Sequence, residues 1–166
     1  MKTKNNRSSV YASTFGLYSR GSLFGKWFYF DEYESLEEMK ESIVAYFKGN
    51  DDPEVMYQDF ENLPHALYDE SSLSESLFNF CKYVENNEAD YEAASAFVEL
   101  FYEWDEEKFT EKYVGEFGTY QDLGWHFVEN GCLEIPENIE PYFDYEKYGR
   151  DCSFDLYESN HYYFYM

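Results

Sequence analysis

The sequence predicts an α+β fold drawn out as an elongated chain of three small domains: an N-terminal three-stranded sheet with an inserted helix at 1–62, a central helical domain at 63–103, and a C-terminal α+β domain at 104–166. Three observations lead there. Apolar residues alternate at period two near both ends of the chain, whereas between residues 72 and 111 they recur at intervals of three and four. Aromatic residues make up 23% of the 166 positions, with 19 Tyr, 16 Phe and 3 Trp, which is enough apolar material to build cores. The formal charge is −23, and a compact body carrying it repels itself more strongly than a string of small domains does.

Taken in order, Val10, Ala12 and Thr14 alternate with Tyr11 and Ser13 as in a half-buried strand. A turn near Gly21 leads into a second, more deeply buried strand from Leu23 to Phe30. Ser35 and Glu38 then form a capping box, and Leu36, Met39, Ile43 and Phe47 follow at helical spacing until Gly49 closes the helix. Beyond Pro53, Val55 to Phe60 completes the small sheet, and Pro64 marks a boundary.

Helices dominate the middle. Ser72 and Glu75 make another capping pattern ahead of Leu73, Leu77, Phe80, Cys81 and Val84, and Asn86 and Asn87 interrupt the run. Asp90 is placed to cap a further helix with Ala94, Phe97, Val98 and Phe101 inward and Glu92, Glu99 and Glu103 outward. Glu103, Glu107 and Glu111 continue at intervals of four, although Trp104 and Asp105 mark a new helix start. Thr119 to Asn130 reads as helical with Gly131 as terminator, and Phe154 to Tyr165 reads as two strands turning at Ser159 and Asn160.

Between these lies the stretch Glu134 to Asp151. Glu137, Glu140 and Asp144 are spaced to share one side of a helix, while Ile139, Phe143 and Tyr148 turn towards a core. Like charges at that spacing cost about 0.2 to 0.5 kcal/mol per pair in an isolated helix. Pro141 is expected to break the run into two short helices.

No catalytic constellation emerges. The sequence has no glycine-rich phosphate loop, no nucleophile elbow, no paired-histidine metal motif and no calcium loop. His65, His126 and His161 are scattered, and Cys81, Cys132 and Cys152 are odd in number and far apart, as free thiols of a reducing compartment are. Residues 1–20 hold no signal-peptide core and no stretch approaches the roughly 20 apolar residues of a membrane helix. A cytoplasmic protein without metal or cofactor is expected.

What remains is charge. Residues 1–30 carry Lys2, Lys4, Arg7, Arg20 and Lys26 and no acid, so residues 31–166 hold all 35 acids against seven bases, a balance of −28. Simple attraction to nucleic acid or to an anionic membrane is thereby opposed, and a basic partner is the natural inference. Duplex DNA carries one charge per about 1.7 Å, so the net charge of this chain matches about 40 Å of duplex, roughly 12 base pairs. A symmetric dimer would match about twice that.

Specific residues sharpen this reading. Val10, Tyr11, Ala12 and Ser13, then Tyr18, Gly21, Leu23, Gly25, Lys26 and Trp27, then Asp59, Phe60, Glu61, Leu63 and Pro64 form a recognisable pattern. It is strongest in Ile135, Pro136, Glu137, Tyr142, Asp144, Tyr145, Glu146, Arg150 and Asp151. In this combination the chain resembles the ArdA-type antirestriction proteins of mobile genetic elements such as conjugative transposons and plasmids, over nearly its full length. Residues 71–111 match less closely, and Gly149 and Cys152 stand where the family pattern has alanine and an aliphatic residue.

The resemblance implies a homodimer of elongated subunits whose surface acids imitate the phosphates of bent B-form DNA. Such a protein occupies the DNA-binding groove of type I restriction-modification enzymes, in their methyltransferase core, blocks restriction and modification competitively, and has no catalytic activity. Glu103, Glu107, Glu111, Glu137, Glu140, Asp144 and Asp151 are the acids expected on the mimic surface; Phe109, Tyr113, Tyr142, Tyr145 and Tyr148 are expected in the core or at a dimer contact. The charge alone is equally compatible with a general acidic module for basic proteins, such as a chaperone or a nuclease inhibitor. A hydrolase would depend on one carboxylate pair.

Overall fold

A computed structural model describes residues 6–50 and 52–166, so Lys2 and Lys4 of the basic N-terminal segment lie outside the described residues. The fold is α+β, with two small antiparallel sheets among helices. The chain divides into two compact units, Met1–Glu106 and Glu107–Met166. The boundary expected between residues 62 and 63 falls inside the first unit.

The first unit starts from a three-stranded sheet in which β1 (Ser9–Thr14) lies between β2 (Lys26–Tyr29) and β3 (Val55–Glu61). Because β1 is central, five of its six residues are buried instead of every second one, and a bulge between Tyr11 and Ala12 shifts its register on β3. Thr14 caps the short helix α1 (Phe15–Ser19) by accepting from the Leu17 amide, and Gly21 turns the chain at φ +72°. The second strand is shorter and shallower than the sequence suggests. It is an edge strand, only Phe28 in it is buried, and Leu23 ahead of it is 93% exposed. The loop before it is pinned by backbone contacts: the Tyr11 hydroxyl donates to the Leu23 carbonyl at 3.0 Å and the Ser13 hydroxyl to that of Phe24 at 2.7 Å.

Helix α2 (Leu36–Tyr46) forms as its capping residues predict. The Ser35 hydroxyl accepts from the Glu38 amide at 3.2 Å, and the Glu38 carboxylate reaches back to the Glu34 amide at 2.9 Å. Leu36, Met39, Ile43 and Phe47 are buried. Arg7 binds Asp31 through Nε at 2.6 Å and Glu32 at 2.9 Å while lying 4.0 Å over the Tyr29 ring, so one cation of the basic segment neutralises local acids.

The same unit continues with α3 (Glu75–Asn86) and α4 (Tyr91–Phe101). Two expected caps are corrected. Ser74, not Ser72, caps α3, its hydroxyl accepting from the Leu77 amide at 3.1 Å, while Asp69 accepts the amides of Ser71 and Ser72 at 2.7 and 3.1 Å and so shapes the turn ahead of it. Asp90 holds the capping position of α4 without capping it, since its carboxylate accepts instead from the Tyr83 hydroxyl at 2.8 Å. The helix ends at left-handed Tyr102, and Trp104 returns to the core, its amide donating to Ser76 Oγ at 2.6 Å and its ring packing on Phe80, Tyr83 and Phe97. A continuous helix through Glu103 to Glu111 is thereby excluded, and the break falls where Trp104 and Asp105 predict it.

In the second unit α5 (Glu106–Lys112) runs into β4 (Tyr113–Glu116), a strand the sequence reading misses. It pairs with β6 (Tyr162–Tyr165), which pairs in turn with β5 (Leu156–Ser159). Ser159 pairs with Tyr162, so the hairpin turns on Asn160 and His161 rather than on Ser159 and Asn160. Both turn residues have positive φ, as a tight two-residue turn requires. Against the sheet lie α6 (Tyr120–Glu129), capped by Thr119, and α7 (Tyr145–Ser153), capped by Asp144. Leu123, Phe127, Leu156 and Tyr163 form the core, with Tyr148 and Cys152 packed on it.

Two glycines set the separation of α6 and α7. A Cβ on Gly149 would stand 1.8 Å from the Tyr120 carbonyl oxygen, and one on Gly124 would stand 2.1 Å from that of Tyr145. Backbone meets backbone there, so a methyl group has nowhere to go.

The stretch from Glu134 to Asp151 meets the expectation of two short helices only in its second half. After Pro141 the chain is helical in α7, but ahead of it stand a turn after Pro136 and a 3-10 turn, Glu140–Tyr142, with Pro141 inside that turn. Prolines at 136 and 141 remove two donors five residues apart, and what survives is local bonding, such as Ile139 to the Pro136 carbonyl at 2.9 Å and Phe143 to that of Glu140 at 3.1 Å. Ile139, expected in the core, is 49% exposed.

Gly149→Ala is expected to destabilise the protein by about 1 to 3 kcal/mol through overpacking. Gly118→Ala, where a Cβ would meet nothing within 4 Å, is expected to change stability by less than about 0.5 kcal/mol. Urea denaturation followed by near-UV dichroism measures both, and equal midpoints for the two variants would refute the crossing as a packing constraint.

Candidate functional site

Carboxylates dominate the surface of both units. Of the 34 described acidic residues none is buried, 30 are exposed, and only Asp31, Glu85, Asp90 and Asp105 are half-buried. Burying an ionised carboxylate without a partner is costly, so aromatic residues fill the interior and acids stay outside. By unit, Met1–Glu106 carries 22 acids and eight bases and Glu107–Met166 carries 13 and four, giving −14 and −9.

The predicted surface acids are all exposed, but they do not share one helix. Glu103 belongs to the first unit, in the bend after α4. Glu107 and Glu111 lie one turn apart on α5, on the same face, with Phe109 buried behind them. Glu137, Glu140 and Asp144 sit on a turn, a 3-10 turn and a helix cap, which corrects the expectation of a common helical side. Asp144 also has a structural duty: its carboxylate accepts from the Lys147 amide at 3.0 Å. Asp151 lies two turns further along α7, where Glu146 pairs with Arg150 at 3.2 Å and Lys147 adds a second cation.

The predicted aromatic contacts separate. Phe109 is buried and stacks on half-buried Tyr113 with centroids 5.3 Å apart, and both pack near Phe164. Tyr148 lies against the Leu123 and Phe127 core and meets Phe143 edge-on at 5.7 Å. Tyr145 stacks on Trp125 at 4.2 Å with planes 5° apart. Tyr142 is not a core residue, being 86% exposed, because the 3-10 turn projects it outward.

One arrangement was not legible from spacing. Glu134 and Glu140 line a shallow hollow with Leu133, Ile135 and Tyr145. The Tyr145 phenol is raised above the ordinary tyrosine value, first by partial desolvation, then by the charges of Glu140 and Glu129 and a hydrogen bond to Glu140. Three carboxylates from α6, the following loop and the 3-10 turn thus gather about one stacked aromatic ring. Glu129 closes α6 with an acid set against the macrodipole, a signal present in the sequence.

Chemically, the surface offers acceptors and negative potential fixed on packed aromatics. Among the described residues no group of three or more His, Cys, Asp or Glu is placed to hold a metal ion, and no helix is long and apolar enough to cross a membrane.

The double role of Asp144 is testable. Asp144→Ala is expected to cost about 1 kcal/mol of stability through the lost cap, whereas Asp151→Ala is expected to be neutral within about 0.5 kcal/mol. Thermal unfolding of the two variants reads the difference, and equal melting temperatures would deny Asp144 the capping role.

No curated protein matches the chain. A family model does, the antirestriction protein (ArdA) model, over residues 10–165. With the match spanning nearly every residue, the chain belongs to the ArdA antirestriction protein family.

Proposed function

We propose that this antirestriction protein acts as a mimic of bent B-form DNA, working as a homodimer that occupies the DNA-binding groove in the methyltransferase core of a type I restriction-modification enzyme. The single observation carrying this reading is that the acids of a chain with net charge −23 are exposed almost without exception on a scaffold packed with aromatic residues. Lysines and arginines that hold phosphates would meet carboxylates at comparable charge density, and counterions leave both surfaces on binding. No base edge is copied, so inhibition ignores the enzyme's recognition sequence and blocks modification along with restriction. The protein has no reaction of its own in this scheme.

Glu107, Glu111, Glu137, Glu140, Asp144 and Asp151 contribute to the mimic surface in the second unit, joined by Glu129 and Glu134, and Glu103 contributes from the first. Tyr142 is the best candidate for a contact with a second copy, since it is large, apolar over most of its area and exposed.

Competition for purified methyltransferase core tests the proposal. The protein is expected to displace labelled duplexes of unrelated sequence equally well, and each surface carboxylate changed to its amide is expected to weaken it about two- to five-fold, without a single essential position. A complex that still holds its duplex would refute mimicry. Binding to histones as tight as to the enzyme would instead indicate a general acidic module.

A further inference from the structure

On the first unit, one surface reverses the rule that acids face outward and aromatics inward. Leu23 is 93% exposed, Phe24 51% and Tyr46 42%, and the Phe24 ring lies parallel to that of Tyr46 with centroids 6.0 Å apart. The loop after α1 and the last turn of α2 therefore share one apolar area. Exposed apolar residues scattered singly mean little, but these are contiguous and held in place. The Ser22 amide donates to the Leu17 carbonyl at 3.0 Å and the Phe24 amide to Ser22 Oγ at 3.1 Å, in addition to the bonds from the Tyr11 and Ser13 hydroxyls to the carbonyls of Leu23 and Phe24. A Cβ on Gly25 would stand 2.6 Å from the Ala12 carbonyl oxygen, so the loop lies directly on β1. A backbone tied down in this way holds its leucine out in water.

The charge here is also reversed. No acid occurs in residues 1–30 or in residues 42–50, and the two segments meet at this surface. Lys26 Nζ lies 4.8 Å over the Tyr46 ring and 5.1 Å over that of Phe28, a contact that positions the ammonium without cancelling its charge. Exposed Lys48 follows Phe47, whose ring meets Phe24 edge-on at 6.3 Å. Exposed charges farther apart than about 8 Å are largely screened at physiological salt, so a partner touching only this surface meets lysines first, although the unit as a whole carries −14. Two lysines on an apolar ground do not suit a basic groove.

We propose that this surface docks an acidic segment of a partner protein, one apolar side chain of the segment packing against Leu23, Phe24 and Tyr46 while its carboxylates meet Lys26 and Lys48. An anionic lipid surface offers the same two chemistries. A plane that reached Leu23 would, however, also approach acids on the rest of a unit of net charge −14, whereas a narrow segment touches this place alone. The contact lies apart from the acidic surface and does not rest on mimicry of DNA.

The test uses the full chain and a short labelled peptide in which glutamates flank one leucine. The peptide is expected to bind saturably, shifting the amide resonances of Leu23, Phe24, Lys26 and Tyr46, and to bind at least about tenfold more weakly when lysines replace its glutamates or serine its leucine. Leu23→Ser is expected to weaken binding at least about tenfold and Lys26→Gln about two- to five-fold. Val44→Ser, at an exposed apolar position about 200° around α2 from Tyr46, leaves it within about twofold. Leu23 and Val44 are 93% and 59% exposed, so neither variant opens a core. Shifts that fail to saturate, equal binding of the lysine peptide, or equal weakening by Leu23→Ser and Val44→Ser overturn the proposal. Leu23-dependent sedimentation with phosphatidylserine vesicles would overturn it in favour of a lipid site, and Leu23-dependent self-association in analytical ultracentrifugation in favour of a second copy of the chain. None of these results bears on competition with DNA.

Discussion

Like charges fixed on a folded surface repel, and in this chain the opposing interaction is aromatic packing. The magnitudes favour the fold. A well-placed ring pair contributes about 0.5 to 1.5 kcal/mol beyond its buried area, while neighbouring surface acids one helical turn apart oppose it by only about 0.2 to 0.5 kcal/mol. Trp104 against Phe80, Tyr83 and Phe97 in the first unit, and Phe109, Tyr113 and Phe164 in the second, are where that margin arises. The margin lets carboxylates stand exposed at fixed positions, which a flexible acidic tail cannot do.

Rigidity also depends on the glycine crossing. Gly124 and Gly149 bring α6 and α7 to backbone contact, and that contact sets where Asp144, Glu146 and Asp151 stand relative to Glu129. The Tyr120 carbonyl occupies the space that a methyl group on Gly149 would need. Charge placement is therefore inherited from main-chain geometry and not from ion pairing.

Much of the fold was legible, because period and capping are local. Ser35, Thr119, Gly21, Gly49 and Gly131 mark the ends that the structure has. The failures have physical causes of wider range. Ser72 has capping chemistry but lies two residues ahead of the helix start that Ser74 caps, and Asp90 has it but the Tyr83 hydroxyl reaches its carboxylate first; nothing in the spacing announces either. Strand β4 is four residues long and becomes a strand only because β6 pairs with it. Between Glu134 and Asp144 the acids have helical spacing without α-helical backbone, since Pro136 and Pro141 deny it the donors. For the site, identity and exposure of the acids were readable, while the gathering of Glu129, Glu134 and Glu140 about Tyr145 needs three separate elements to be placed first.

If carboxylates replace phosphates, association with the enzyme must release counterions as DNA binding does. The decisive measurement is the dissociation constant of the chain and the methyltransferase core at salt concentrations from about 50 to 200 mM, with a duplex measured in parallel. Mimicry predicts a steep linear fall of log affinity against log salt for both, amounting to at least about a hundred-fold across that range. An affinity that stays level for the protein while the duplex weakens would contradict it.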